Sequence, residues 1–321
     1  MSKEYKEFQE LMRRGKFIEA ANYAEREYLY DKKQNVFWLT QQANALIRAE
    51  KYKLGFDISS QALTINSTNP YAVLSAADAL FGLNRFKEAL QYYSENLNNQ
   101  KLKLRSQRGI LECLLTLKKW NDILSYLESW DMPEKDSIRY RVKALVGLGE
   151  YNGAAEACRE WLNLKPHNRS ALWELTELEI RRDGIDDELK RMEKLSRIPS
   201  LPSIYGEIYA SLCRRSGKQE LAIKQYEKLE AEGSQHRIQR KQAFVLARSS
   251  QEKEAIRIME ELLRVDPKDM YLHSSYGAAC ARIGELERAV NFYQKLLSSF
   301  PDEKSLYGRI QKLKNMLDKK Q

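Results

Sequence analysis

Apolar and polar positions along this chain repeat with the period of a helix, in short blocks separated by turns. Residues 2 to 14 place Tyr5, Phe8, Leu11 and Met12 against Lys3, Glu7, Glu10 and Arg14. Residues 303 to 318 set Leu306, Tyr307, Ile310, Leu313 and Leu317 against Lys304, Arg309, Lys312 and Lys314. Between these blocks a small or apolar residue follows each turn at a fixed distance. The nine anchors are Ala20, Gly55, Ala89, Ile123, Ala154, Leu189, Ala222, Ala255 and Ala289, spaced by 35, 34, 34, 31, 35, 33, 33 and 34 residues. A unit of about 34 residues holds two short helices, cannot bury its own apolar face and must stack on copies of itself. The expected fold class is all-α, a solenoid of nine helix pairs over residues 1–302. Residues 303–321 then form a capping helix with a basic tail.

The neighbours of each anchor sharpen this reading. Five positions before it come Gly15, Gly149, Gly184, Gly217 and Gly284, suited to ending a helix in the left-handed conformation. Three before it come Phe17, Tyr52, Phe86, Trp120 and Tyr151, expected to wedge between paired helices. Twelve before it, Ala43, Ala77, Ala210, Ala243 and Gly277 are small enough to let two helix axes approach, and twelve after it Pro166, Pro267 and Pro301 close units. The constellation resembles the tetratricopeptide repeat. The match is strongest in the last repeat, where Tyr276, Gly277, Gly284, Ala289, Tyr293 and Pro301 are all in phase. The fourth repeat departs from it with Leu111 and Ile123, the sixth with Glu177 and Leu189, so both are expected to be irregular. The resemblance implies antiparallel helix pairs in a right-handed superhelix, a concave side lined by the first helix of each pair, and protein or peptide binding. Pro199 and Pro202, within 197–203, could alter the pitch there, as could Pro133 beside the shortest spacing.

Charge changes the picture of the partner. The chain carries 54 Lys and Arg against 45 Asp and Glu, a net charge of +9 with a pI near 9.1, which favours capture of an anionic partner. No apolar run long enough for a secretion signal or a membrane span stands out, so a cytoplasmic location is expected, or a nuclear one in a eukaryote. Cys113, Cys158, Cys213 and Cys280 have no metal-ligand spacing and read as buried reduced thiols. His167, His236 and His273 read as exposed surface. With no phosphate-binding glycine loop and no paired Cys or His, the chain reads as a non-enzyme without metal or cofactor.

In the geometry the resemblance implies, positions 18, 15 and 11 before each anchor face the groove. They give Arg105, Arg108, Arg139 and Lys143, with Glu112 and Asp136 interspersed, as one basic patch on adjacent first helices. They also give Arg237, Arg240 and Phe244 in the eighth repeat, and Phe37, Asn44, Tyr71, Leu74 and Asp78 in the second and third. Arginine and aromatic side chains are common interface anchors. Seven before the anchor, six of nine repeats carry arginine (Arg13, Arg48, Arg182, Arg215, Arg248, Arg282), where chance gives about 1.5 basic residues. These either complement the helix dipole or form a ladder able to hold carboxylates. The carboxylate clamp of some relatives of this repeat is incomplete: Asn44 and Arg105 fit it, whereas Thr40, Ser75 and Gly109 do not. The expected function is a scaffold or adaptor holding an acidic or extended segment of a protein. The alternatives are a helical-repeat nucleic-acid binder and a peptide-sensing receptor.

Overall fold

A computed structural model describes residues 2–30, 35–231 and 236–318. Every regular element among them is helical. The nine pairs are α1 (Lys3–Arg13) with α2 (Phe17–Tyr30), α3 (Asn35–Arg48) with α4 (Tyr52–Ile65), α5 (Pro70–Gly82) with α6 (Phe86–Glu95), α7 (Lys103–Thr116) with α8 (Trp120–Ser129), and α9 (Glu134–Leu148) with α10 (Tyr151–Leu164), followed by α11 (Arg169–Asp183) with α12 (Ile185–Ser196), α13 (Ile204–Arg215) with α14 (Gln219–Ala231), α15 (His236–Leu246) with α16 (Glu252–Val265), and α17 (Met270–Arg282) with α18 (Leu286–Ser299). A final helix, α19 (Ser305–Asp318), packs on α18 through the buried Leu306 and Leu313.

The turns that make the pairs share a positive φ. Five residues before every anchor φ is positive: 74° at Gly15, 81° at Gly149, 90° at Gly184, 75° at Gly217 and 77° at Gly284. The other four turns do the same without glycine, at Glu50, Asn84, Lys118 and Ser250, with φ of 59°, 60°, 56° and 59°. Except at Gly184, whose ψ of 165° is extended, this residue turns the chain so that the next amide reaches back to an orphan helix carbonyl. Lys51 N donates to Leu46 O at 2.9 Å, Arg85 N to Leu80 O at 2.9 Å and Lys119 N to Leu114 O at 2.9 Å.

All nine anchors are buried on second helices. The aromatic residues three positions earlier reach further than expected. A Cβ added at Gly82 would lie 2.2 Å from Tyr52 Cδ1, and one at Gly147 2.4 Å from Trp120. Tyr52 and Trp120 thus fill the gap between their own helix and the first helix of the next pair, and fasten repeat to repeat.

The fourth and sixth pairs do approach less closely than the second, third and seventh, because Leu111, Ile123 and Leu189 hold the axes apart. The ninth pair, the best match in sequence, is also loose. There Tyr276, Phe292 and Tyr293 interlock with ring centroids 5.1 to 5.8 Å apart, and the space at Gly277 is open, so that glycine does not mediate a close crossing. His273 corrects a second expectation. It is buried, with Nε2 2.9 Å from Pro267 O and Nδ1 3.1 Å from Tyr293 Oη, because the first turn of α17 faces the proline that closes the preceding unit. His167 and His236 are exposed, and all four cysteines are buried thiols outside any disulfide.

Contacts divide the chain into two compact units, Met1–Leu164 and Lys165–Gln321. Residues 197–203, which carry Pro199 and Pro202, lie inside the second unit. They form a turn in which Ile198 N donates to Leu195 O at 3.2 Å and Leu201 N to Ile198 O at 3.1 Å, and α12 still packs on α13.

Candidate functional site

In the first unit the first helices α3, α5, α7 and α9 lie side by side, and charged side chains cross between them. Arg105 and Arg108 leave the same face of α7 in opposite directions, Arg105 to Asp78 of α5 and Arg108 to Asp136 of α9 at 2.7 Å. Arg139 of α9 returns to Glu112 of α7, lies over the Tyr140 ring at 4.4 Å and donates to the Tyr140 hydroxyl at 2.7 Å, which itself donates to Glu112 at 3.0 Å. The sequence-expected patch is therefore brought together, Lys143 standing exposed on α9 one turn beyond Arg139. It is not a free basic surface, since Arg105, Arg108 and Arg139 already hold carboxylates. The signal was legible: opposite charges fall in facing slots of consecutive repeats.

The second and third repeats follow the same logic. Asn44 Oδ1 accepts from the Ser75 hydroxyl at 3.0 Å, across from α3 to α5. Tyr71 is about half exposed at the start of α5, where Asn69 caps the helix by accepting from the amides of Tyr71 and Ala72 at 3.1 and 3.0 Å. Gly109, the slot where a clamp would place a cation, is covered by the Tyr93 ring, 2.5 Å from where a Cβ would sit; the Tyr93 hydroxyl donates to Asp78 at 2.7 Å. No clamp is assembled there.

The second unit concentrates positive charge. Glu207 of α13 is fully buried, and three cations converge on it: Arg169 of α11 at 3.0 Å, Arg237 of α15 through two bonds of 2.9 and 2.7 Å, and Lys241 of α15 at 3.6 Å. Burial holds the Lys241 ammonium below its ordinary pKa even beside this carboxylate. Its Nζ also lies 5.0 Å from the centre of the Trp173 ring. Arg240 makes a bidentate pair with Asp269 at 2.6 and 3.1 Å and stacks on Phe244 and Tyr271 at 5.2 and 5.8 Å. Asp269 caps α17 by accepting from the amides of Tyr271 and Leu272 at 3.0 and 3.1 Å. Burial by itself would raise its carboxyl; the Arg240 bonds and those amides outweigh it and leave the pKa below the usual value.

Beside these groups a cavity of about 510 Å³ opens across three consecutive first helices. Ser211 and Arg214 come from α13, Arg240, Lys241 and Phe244 from α15, and Tyr271, Ser274 and Ser275 from α17, with Arg248 in the turn after α15. Among the described residues, no carboxylate lies within ion-pair distance of Arg214 or Arg248. Four cations, Arg214, Arg240, Lys241 and Arg248, thus line the cavity, and Arg169 and Arg237 join Lys241 on the buried Glu207. Sequence reasoning found Arg237, Arg240 and Phe244. It missed Tyr271 and Ser274, which the same slots name when applied to the ninth repeat.

Three of the six arginines seven before the anchor tie neighbouring repeats. Arg48 lies 5.2 Å from the centre of the Phe17 ring, Arg215 bonds Glu177 at 2.5 Å, and Arg282 reaches Glu252 at 3.2 Å and the carbonyl of Ala247. Arg13 and Arg182 pair within their own repeats, with Glu10 and with Glu179 and Asp183. Among the described residues, no three His, Cys, Asp or Glu side chains gather as a metal ion requires, and no helix is long and apolar enough to cross a membrane.

No family model matches the sequence, and no curated protein matches it. Solved structures do. A tetratricopeptide repeat protein from Parabacteroides merdae superposes with a TM-score of 0.52 at 13% identity, over 76% of this chain and all of that one. The APC/C hetero-tetramer Cut9–Hcn1 gives a TM-score of 0.43 at 13% identity, over 85% of this chain and 54% of that one. MamA gives 0.39 at 18% identity, over 51% of this chain and 96% of that one. The first of these carries the fold, at an identity that speaks for the fold alone.

Proposed function

We propose that this chain, an α solenoid with the tetratricopeptide repeat fold, is a non-catalytic scaffold or adaptor, and that its second unit holds an acidic, extended segment of a protein partner. The observation that carries the reading is the excess of cations in one cavity: Arg214, Arg240, Lys241 and Arg248 line it without a carboxylate in the lining, beside Trp173, Phe244 and Tyr271. Excess charge on one face raises the encounter rate with an anionic segment, and the half-buried rings of Trp173 and Phe244 and the exposed ring of Tyr271 supply apolar area that does not need a deep core. The first unit's ladder of Arg105, Arg108 and Arg139 serves mainly to join helices, with Asn44, Tyr71 and Lys143 as secondary contacts for the partner. A cytoplasmic setting suits four buried thiols; burial raises Cys113 to about 12 and Cys280 to about 11, so neither is a ready thiolate.

The test is reversal of Arg214 and Arg248 to Glu, the two cations that hold no internal carboxylate. Proteins captured at physiological salt by the wild type and by the double variant are compared by mass spectrometry. The acidic partner is expected to be lost from the variant, by about tenfold or more, while circular dichroism is unchanged. Capture of the same partner with the same salt response would overturn the reading. Reversal of Arg108 and Arg139 is a poorer test, since it sets new carboxylates beside Asp136 and Glu112.

A further inference from the structure

We infer that the cavity between α13, α15 and α17 is a seat for a phosphoryl group on the partner's segment, a phosphoserine side chain in particular. The inference rests on the acidic-segment reading above and narrows it.

Four cations line this cavity, and they fall into two classes. Arg240 and Lys241 are committed, to Asp269 and to Glu207. Arg214 and Arg248 are not: among the described residues neither has a carboxylate partner, and one stands near the end of α13 and the other after the end of α15. The uncommitted charge is thus two. A carboxylate brings one negative charge and would leave a guanidinium unmatched; a phosphomonoester brings −1.5 to −2 at neutral pH and three acceptor oxygens. The remaining lining supplies donors of the matching kind in the hydroxyls of Ser211, Ser274 and Ser275. Phe244 and Tyr271 on the rim offer apolar faces to the residues flanking the phosphorylated one. Guanidinium forks match phosphate geometry better than ammonium groups do, and both free cations here are arginines.

The cavity crosses three repeats, so the occupant must be extended. Each first helix contributes to one wall, and the lining residues recur at about the repeat spacing along the stack. A phosphoserine within an extended segment meets that shape, with its backbone running across the helices.

The experiment uses the full chain and three fluorescein-labelled nine-residue peptides with phenylalanine on both sides of a central phosphoserine, aspartate or serine, read by fluorescence anisotropy at physiological salt. The phosphoserine peptide is expected to bind about tenfold or more tightly than the aspartate peptide, and the serine peptide weakest. Arg214→Gln and Arg248→Gln, which change charge without reversing it, should each erase the difference between phosphoserine and aspartate while leaving circular dichroism unchanged. Equal affinity for phosphoserine and aspartate, both above serine, overturns the phosphoryl seat and leaves the acidic-segment reading standing. Equal affinity for all three peptides overturns both. Preference for phosphoserine that survives in both variants places its recognition elsewhere and overturns this site. Competition by oligothymidylate at the same phosphate concentration overturns it too, in favour of a phosphodiester backbone.

Discussion

At the scale of single residues, the turns show where a pattern is read from chemistry and where it is not. Glycine announces itself because it adopts positive φ cheaply, so five of the nine turns were legible from Gly15, Gly149, Gly184, Gly217 and Gly284. Glu50, Asn84, Lys118 and Ser250 occupy the same backbone position without that advertisement, held there by the packing of the two helices they join. Left-handed backbone costs an L residue about 1–2 kcal/mol, part of which glycine returns through its larger unfolded-state entropy. Lys118→Gly is therefore expected to stabilise the chain by about 0.5–1 kcal/mol, seen as a higher midpoint in urea with an unchanged slope. A lower midpoint would mean that the Lys118 side chain contributes more than its backbone costs. The candidate site was legible to a similar degree. The slots named Arg240 and Phe244, which line the cavity, whereas Arg214 and Lys241 lie one or more positions off those slots and reach it through long side chains.

At the scale of elements, helix α17 is held from both sides of its first turn. Asp269 caps it and ties it to α15 through Arg240, while His273, one turn in, bonds Pro267 and Tyr293. A carbonyl can only accept, so the Nε2 of His273 carries the proton and Nδ1 accepts from the tyrosine hydroxyl. Burial is the main reason that the imidazole lies below its usual pKa of 6.5. The unfolded chain thus binds a proton near pH 6.5 that the folded chain refuses, and stability falls as pH drops from 6.5 toward the lower folded value and is level above it. Thermal unfolding of the wild type is expected to shift down between pH 7.5 and 5.5, and His273→Gln, whose amide can still donate to Pro267, to lose most of that shift. The same pH response in both proteins would assign it to other groups. Sequence alone offered no sign of this, because a histidine three residues into a helix looks like surface until the preceding proline is seen to fold over it.

At the scale of the whole molecule, the period fixed the number of helices because each turn leaves a local mark, while the division at Leu164 leaves almost none. The prolines at 199 and 202 were the louder signal, yet their turn still lets α12 pack on α13. Residues 1–164 and 165–321, expressed separately, are each expected to give a helical spectrum and a cooperative melt, since repeats draw their stability from neighbours within their own unit. A fragment that is unfolded alone would show that the two depend on one another. The charged pairs that cross from repeat to repeat carry a last consequence. A chain of look-alike units risks docking a repeat beside the wrong sibling, or exchanging one with another molecule, at little loss of apolar burial. Arg105 with Asp78, Arg139 with Glu112 and Arg237 with Glu207 join particular neighbours and no others. A shift of one repeat would leave the buried Glu207 without its arginines, at a cost of about 3–5 kcal/mol. The ion pairs act as serial numbers, and they allow near-copies of one motif to assemble in a single order.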